Sequence, residues 1–174
     1  MLRITITLSC NKQFIEIINL RMEQKVTQTS KELVIAKKDG NLKYLMAKGE
    51  YTNIIVDASQ SNGEYVISDG ILEPNGFIPD HYHKWEDQTF HILEGELTAK
   101  IGEETYQLQA GDSVHCPRGI SHYMKNNGSV KAKLLSYIFP GHWAEEFMAE
   151  TSRQNQSGKH DLSLIEEKFG VVYL

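Results

Sequence analysis

The sequence predicts an all-β protein, a sandwich or barrel of short strands followed by a helical tail. Two observations predict it. From about residue 33 the chain reads as short apolar runs broken by Gly, Asn and Asp at intervals of roughly 8–12 residues, the pattern of a strand-rich sandwich or barrel. After Pro140-Gly141 the apolar spacing changes from alternation to helical spacing. No segment repeats with a period of roughly 20–50 residues, which excludes propellers and solenoids.

The elements follow in order. Residues 1–20 alternate loosely (Leu2, Ile4, Ile6, Leu8) and run into FIEIINL, a strand or a short helix. Residues 21–32 are polar and turn-prone, a linker to the main domain. Met22 is an alternative translation start. If the arm adds a strand, it does so at a sheet edge or across a homodimer. The strands expected next are YTNIIVDA, EYVISDGIL, TFHILEGELTAKI, TYQLQ, AGDSVHCPRG, SHYMKNNGS and VKAKLLSYIF. HWAEEFMAETSRQ is an amphipathic helix, NQSGKH a polar stretch, and DLSLIEEKF a short helix capped by Asp161 and ended by Gly170. The chain thus divides into an arm and linker over 1–32, a β-barrel over 33–141 and a helical tail over 142–174.

Composition narrows the function classes. At 174 residues a single self-sufficient core is expected. With 23 acidic against 18 basic residues the net charge is −5, and the basic residues form only short pairs such as Lys37-Lys38, so nucleic acid is not an expected partner. The longest apolar runs, such as 134–139, are far too short to span a bilayer. The start, MLRITITLSC, has an apolar region shorter than the roughly 7–15 residues of a signal core, which points to the cytoplasm. Cys10 and Cys116 make neither a disulfide framework nor a metal pair.

The chemistry gathers around His81-Tyr82-His83. Residues two apart on a strand face the same way, so this pair aims two imidazoles at one point. Further on stands Gly111-Asp112-Ser113-Val114-His115-Cys116-Pro117-Arg118-Gly119-Ile120-Ser121-His122-Tyr123-Met124-Lys125-Asn126. This stretch resembles the second cupin motif, Gly-x5-Pro-x-Gly-x2-His-x3-Asn, at every defined position. PNGFIPDHYHKWEDQTFHILEGEL resembles the first, Gly-x5-His-x-His-x3–4-Glu-x6-Gly. The two cover residues 72–126. Over residues 40–174 the layout is similar to single-domain cupins related to the quercetinase-like dioxygenases.

Two departures from that pattern matter. Four residues rather than five separate Gly76 from His81. More consequentially, Gln88 stands where the family carries glutamate. Asp87 does not rescue the ligand, because Gln88, Phe90 and Ile92 share one face and Asp87, Thr89, His91 and Leu93 the other. The more uniformly apolar Phe90/Ile92 face suits the interior, so Gln88 points inward and the fourth ligand is its amide oxygen or is missing.

The resemblance implies a double-stranded β-helix or jelly roll holding one divalent metal ion through His81, His83, His122 and Gln88. Imidazoles and an amide suit Fe, Mn, Ni, Zn, Cu or Co without choosing among them. Three neutral imidazoles and an amide would leave such an ion its full charge, strengthening it as a Lewis acid and drawing anionic substrates. The expected function is a metal-dependent enzyme acting on a small oxygen-rich molecule chelated to the metal, with dioxygenation favoured by layout. Isomerase or lyase chemistry on an anionic sugar derivative fits the glutamine; a similar three-His, one-Gln set occurs in the small cupin that linearises unsaturated uronates. A cupin that merely binds a small ligand is the non-enzymatic alternative.

Trp85, Phe90, Met124 and Tyr137 are candidates for lining a pocket for a flat or ring-shaped substrate, against the plainer role of core residues. His91, His142 and His160 are expected to be packing or surface histidines, Cys116 a small core residue beside the metal, and Glu86 and Asp87 solvated loop charges, against a role as general base.

Overall fold

The computed structural model describes residues 44–174. The expected arm and linker, and any strand they add, lie outside the described residues. Eleven strands are described: β1 Tyr44–Ala47, β2 Glu50–Val56, β3 Val66–Leu72, β4 Phe77–His83, β5 Asp87–Glu94, β6 Glu96–Ile101, β7 Glu104–Gln109, β8 Ser113–Cys116, β9 His122–Lys125, β10 Ala132–Phe139 and β11 Val171–Tyr173. Two helices, α1 Ala144–Ser157 and α2 Leu162–Phe169, lie between β10 and β11. One sheet runs β1-β2-β3-β10-β5-β8 and the other β11-β4-β9-β6-β7, with antiparallel pairing throughout. The jelly-roll expectation holds.

Alternation drives the packing. In β3 and β10 every second residue is buried, which presents one apolar face of each strand to the interior. The expected strand TFHILEGELTAKI is two strands in different sheets. Gly95, at φ 84°, carries the chain between them, a conformation that side-chain-bearing residues rarely adopt. Leu72, Phe90, Ile92, Leu97, Met124 and Leu134 form the core between the sheets. A second cluster joins Val66 and Ile138 to Phe147, Ile165, Phe169 and Val171. The C-terminal segment is therefore packed into the fold along its length.

Two readings of that segment are corrected. Helix α1 continues through Asn155–Ser157, which read as part of a polar stretch. Its polar residues have work on the buried side: Leu45 N donates to Ser152 Oγ (2.9 Å), and Asn155 Nδ2 donates to Leu45 O (3.2 Å) and Met46 O (2.6 Å). The helix thus satisfies β1 backbone groups that the sheet leaves unpaired. Strand β11 was not expected, and it pairs Val171, Val172 and Tyr173 with His83, Tyr82 and His81 of β4. Asp161 and Gly170 cap α2 as expected, Leu164 N donating to Asp161 Oδ1 at 3.0 Å.

Candidate metal centre

His81 and His83 lie on β4, His122 opposite His81 on β9. A β-bulge makes this possible. The β4–β9 register slips between Ile78 and His81, inserting an extra residue around Pro79 and Asp80. Ile78 and His81, three apart, therefore both point inward, and His83 follows by alternation. Pro79 suits such a bulge because it has no N–H to lose from the ladder. Gly119, at φ 79°, donates its N–H to His83 O at 2.8 Å and so ties the second motif's turn to the histidine strand.

The three imidazoles are 6%, 4% and 1% exposed, and one ligand nitrogen from each lies within 4.8 Å of the others. His81 Nδ1 donates to Pro79 O at 2.7 Å, His83 Nδ1 faces Glu86 Oε2 at 3.4 Å, and His122 Nδ1 faces Ile120 O at 3.4 Å. Hydrogen-bonding at Nδ1 leaves the Nε2 lone pair of each ring for the centre. His83 Nε2 is buried with no hydrogen-bond partner, an uncompensated polar atom of the kind an ion would satisfy. Burial holds His122 down at about 3, helped by its neighbour His83. His81 is likewise held well below the usual imidazole range by burial and by His122 and His83. Both are neutral near pH 7, as ligation requires.

Gln88 completes the group. It is 8% exposed, on the same face as Phe90 and Ile92. Its Nε2 donates to Ser136 Oγ at 2.8 Å, which turns its oxygen inward to 3.1 Å from His122 Nε2. A neutral His122 cannot donate from both nitrogens to two carbonyl oxygens. In one tautomer Nε2 donates to Gln88 Oε1; in the other, the one an ion needs, Nδ1 donates to Ile120 O and the Nε2 and Oε1 lone pairs both face the centre. Two ligands about 2.1 Å from one ion lie about 3.0–3.4 Å apart at octahedral or tetrahedral angles. The residues present fit a divalent ion.

Glu86 is the reading to correct among the charges. Expected as a solvated loop group, it is 4% exposed and lies against His83. Asp87 is instead held by Arg118, which donates from Nε (2.9 Å), a terminal nitrogen (2.8 Å) and the backbone N (2.9 Å). That guanidinium keeps the Asp87 carboxyl well below the usual range. His115 and His91 hydrogen-bond to Thr89 and Ser113 on the outer face of the β5–β8 pair; His142 and His160 are exposed. Cys116 is buried in the core, its thiol pushed up to about 12 by burial, far from a thiolate ligand.

Beside the histidines lies a cavity of about 50 Å³, bounded by His81, His83, Gln88, Phe90, Glu50 and Tyr173 among others. A second cleft of about 290 Å³ shares Met46, Pro79 and Tyr173 with it. Of the four residues expected to line a pocket, Phe90 does. Met124 is fully buried in the core between the sheets. Trp85 is 42% exposed and covers Gly170, where a Cβ would come within 2.8 Å of its ring. Tyr137 occupies the outer side of β10, stacked with Phe139. Glu50 and Tyr173 carried no sequence signal: one is an ordinary glutamate early in the barrel, the other ends a three-residue strand.

Residues 69–138 match the cupin domain model. This chain carries a cupin domain. Among curated relatives, it is 28% identical over 112 residues to the quercetin 2,3-dioxygenase of Bacillus subtilis (strain 168), covering 59% of this chain and 33% of that protein. It is 29% identical over 69 residues to the tetracenomycin polyketide synthase protein TcmJ of Streptomyces glaucescens, covering 40% of this chain and 46% of that one. The chain thus spans less than half the length of either relative. The solved structure of KdgF from Halomonas sp. aligns over 63% of this cupin chain and 94% of its own, with a TM-score of 0.56 at 13% identity. TT1209 from Thermus thermophilus covers 62% and 98%, with a TM-score of 0.53 at 22% identity. These structures share the fold.

Proposed function

We propose that this cupin is a metal-dependent enzyme acting on a small, oxygen-rich anion chelated at the His81–His83–His122–Gln88 centre. The observation that carries it is the convergence of ligand atoms, three buried imidazole nitrogens within 4.8 Å of one another, with Gln88 Oε1 3.1 Å from His122 Nε2 and His83 Nε2 unpartnered. A bound divalent ion would supply Lewis acidity and an anchor for substrate oxygens. The chain's own residues do the rest. Four neutral ligands add no negative charge near an incoming anion, Phe90 and Phe147 exclude water from one side, and Ser136 holds the Gln88 amide in orientation. The cavity supports a small ligand, since a water alone needs about 10–15 Å³ on this scale.

Metal analysis tests the reading. The purified protein should hold about one ion per chain, and Gln88→Ala should bind it about 10–100-fold more weakly, in the range of lost supporting contacts at metal sites. Unchanged affinity in Gln88→Ala removes the amide from the ligand set. Failure of His122→Ala to weaken binding removes the centre altogether. The likeness to quercetin 2,3-dioxygenase favours a second reading, oxygen-dependent cleavage of a polyphenol. Oxygen uptake with flavonols and catechols by the loaded protein separates the two.

A further inference from the structure

One ionisable group in the cavity has no role in holding an ion. Glu50 opens β2, paired with Leu72 of β3, and bounds the same cavity as His81, His83 and Gln88. Tyr173 bounds it too, its ring 5.7 Å from that of His81. No ion pair to Glu50 is formed among the described residues. The residue as a whole is half-buried, but its carboxyl group is deep enough that burial pushes it up to about 8. Burial with no compensating cation favours the protonated form.

We propose that Glu50 is the proton-transfer residue of this centre, acting from the cavity wall in place of the carboxylate that Gln88 lacks, on a small oxygen-rich anion. The inference rests on the metal-centre reading above. As an acid, Glu50 breaks its O–H bond while an O–H or C–H bond forms on the anion, and is left a carboxylate. As a base it takes a proton back from the anion. An isomerisation that removes a proton from one atom and returns it to another restores Glu50 within one turnover and consumes no oxidant. The protonated form also donates a hydrogen bond to the bound anion and spares it a second negative charge, so anion binding is linked to the Glu50 proton. The other titratable groups facing the cavity are His81 and His83 of β4 and Tyr173 of β11; α1 contributes Phe147 and Met148, which do not titrate.

The test uses Co²⁺-loaded full-length protein and glycolate, a two-carbon hydroxycarboxylate, as the probe. Wild type, Glu50→Gln and Glu50→Asp are compared by metal content and by glycolate affinity, read from the Co²⁺ absorption spectrum between about pH 6 and about pH 9. Competition by hydroxide at the metal affects all three alike, so the ratio of affinities isolates Glu50. We expect equal metal content, and a wild-type to Glu50→Gln affinity ratio that falls about tenfold per pH unit above about 8, one proton being linked to binding. Glu50→Asp should keep a pH-dependent ratio. A ratio constant with pH overturns the role of Glu50, as does loss of Co²⁺ from Glu50→Gln, which would make Glu50 a ligand. If wild type takes up no Co²⁺, the metal-centre reading fails first and carries this one with it.

Discussion

Asn126 and Gln88 are buried amides with opposite tasks. Gln88 spends its N–H on Ser136 and turns its oxygen toward His122 and the centre. Asn126, the last defined residue of the second motif, spends everything on the backbone. Its Nδ2 donates to Leu72 O (2.9 Å) and Val130 O (2.8 Å), and its Oδ1 accepts from Gly128 N (2.9 Å). It therefore fixes the turn between β9 and β10 and ties it to β3, at 1% exposure. Asn126→Ala strands two carbonyls and an N–H. At roughly 1–3 kcal/mol for an unsatisfied buried group, with water reaching the turn, the loss should be about 3 kcal/mol. Chemical denaturation checks it: the midpoint should drop while metal stoichiometry in the folded fraction stays the same. A loss under about 1 kcal/mol would mean that the turn holds itself.

The strands and the tail meet at Tyr173. It sits at the end of β11, opposite His81, and with Met46 and Pro79 bounds both the small cavity and the larger cleft. Tyr173→Ala should join the two spaces and let the centre take larger anions, while metal affinity changes little because no ligand is replaced. Comparing a two-carbon with a six-carbon hydroxycarboxylate checks this, and the gain should fall on the longer one; equal effects on both would show that the tyrosine does not divide the spaces. At this scale the sequence was legible wherever period and side-chain type agreed. Gln88 inward follows from alternation and the apolar Phe90/Ile92 face, and Cys116 inward with His115 out from alternation together with the family resemblance. What escaped has a physical reason in each case. The bulge at Pro79 breaks the period on which alternation relies. Strand β11 is too short to show a period. The buried face of α1 is partly polar because it serves the β1 backbone, so apolar spacing underestimates the helix. Glu86 is buried and Glu50 half-buried by tertiary packing that no local pattern encodes.

Over the whole molecule, the centre is also a stability device, because three imidazoles occupy positions that would otherwise be core. Without metal, burial favours the neutral form of His81 and His122. His122 is held down at about 3 and His81 well below its usual value. The sign follows from proton counts. Below about 6.5 the unfolded chain's histidines take up protons that the folded protein refuses. Stability is therefore full above about pH 6.5 and lost as pH falls toward about 3, at up to about 1.4 kcal/mol per pH unit for each such histidine. A bound ion changes this. At a free concentration 100 times its dissociation constant it adds about 2.7 kcal/mol, equivalent to about 5–10 °C in Tm at this chain length. It also occupies the lone pairs that protons would take. Thermal unfolding with Zn²⁺ or with a chelator, at about pH 7 and about pH 5, should show three things. The chelated protein loses Tm on acidification. The loaded protein is more stable at about pH 7. Its advantage over the chelated protein persists at about pH 5, because His81 and His122 of the folded site are still neutral there and give their lone pairs to the ion without losing protons. A chelated protein whose Tm is the same at both pH values would mean that the histidines are not held neutral by burial, and the centre would have to be more open to water than its exposure implies.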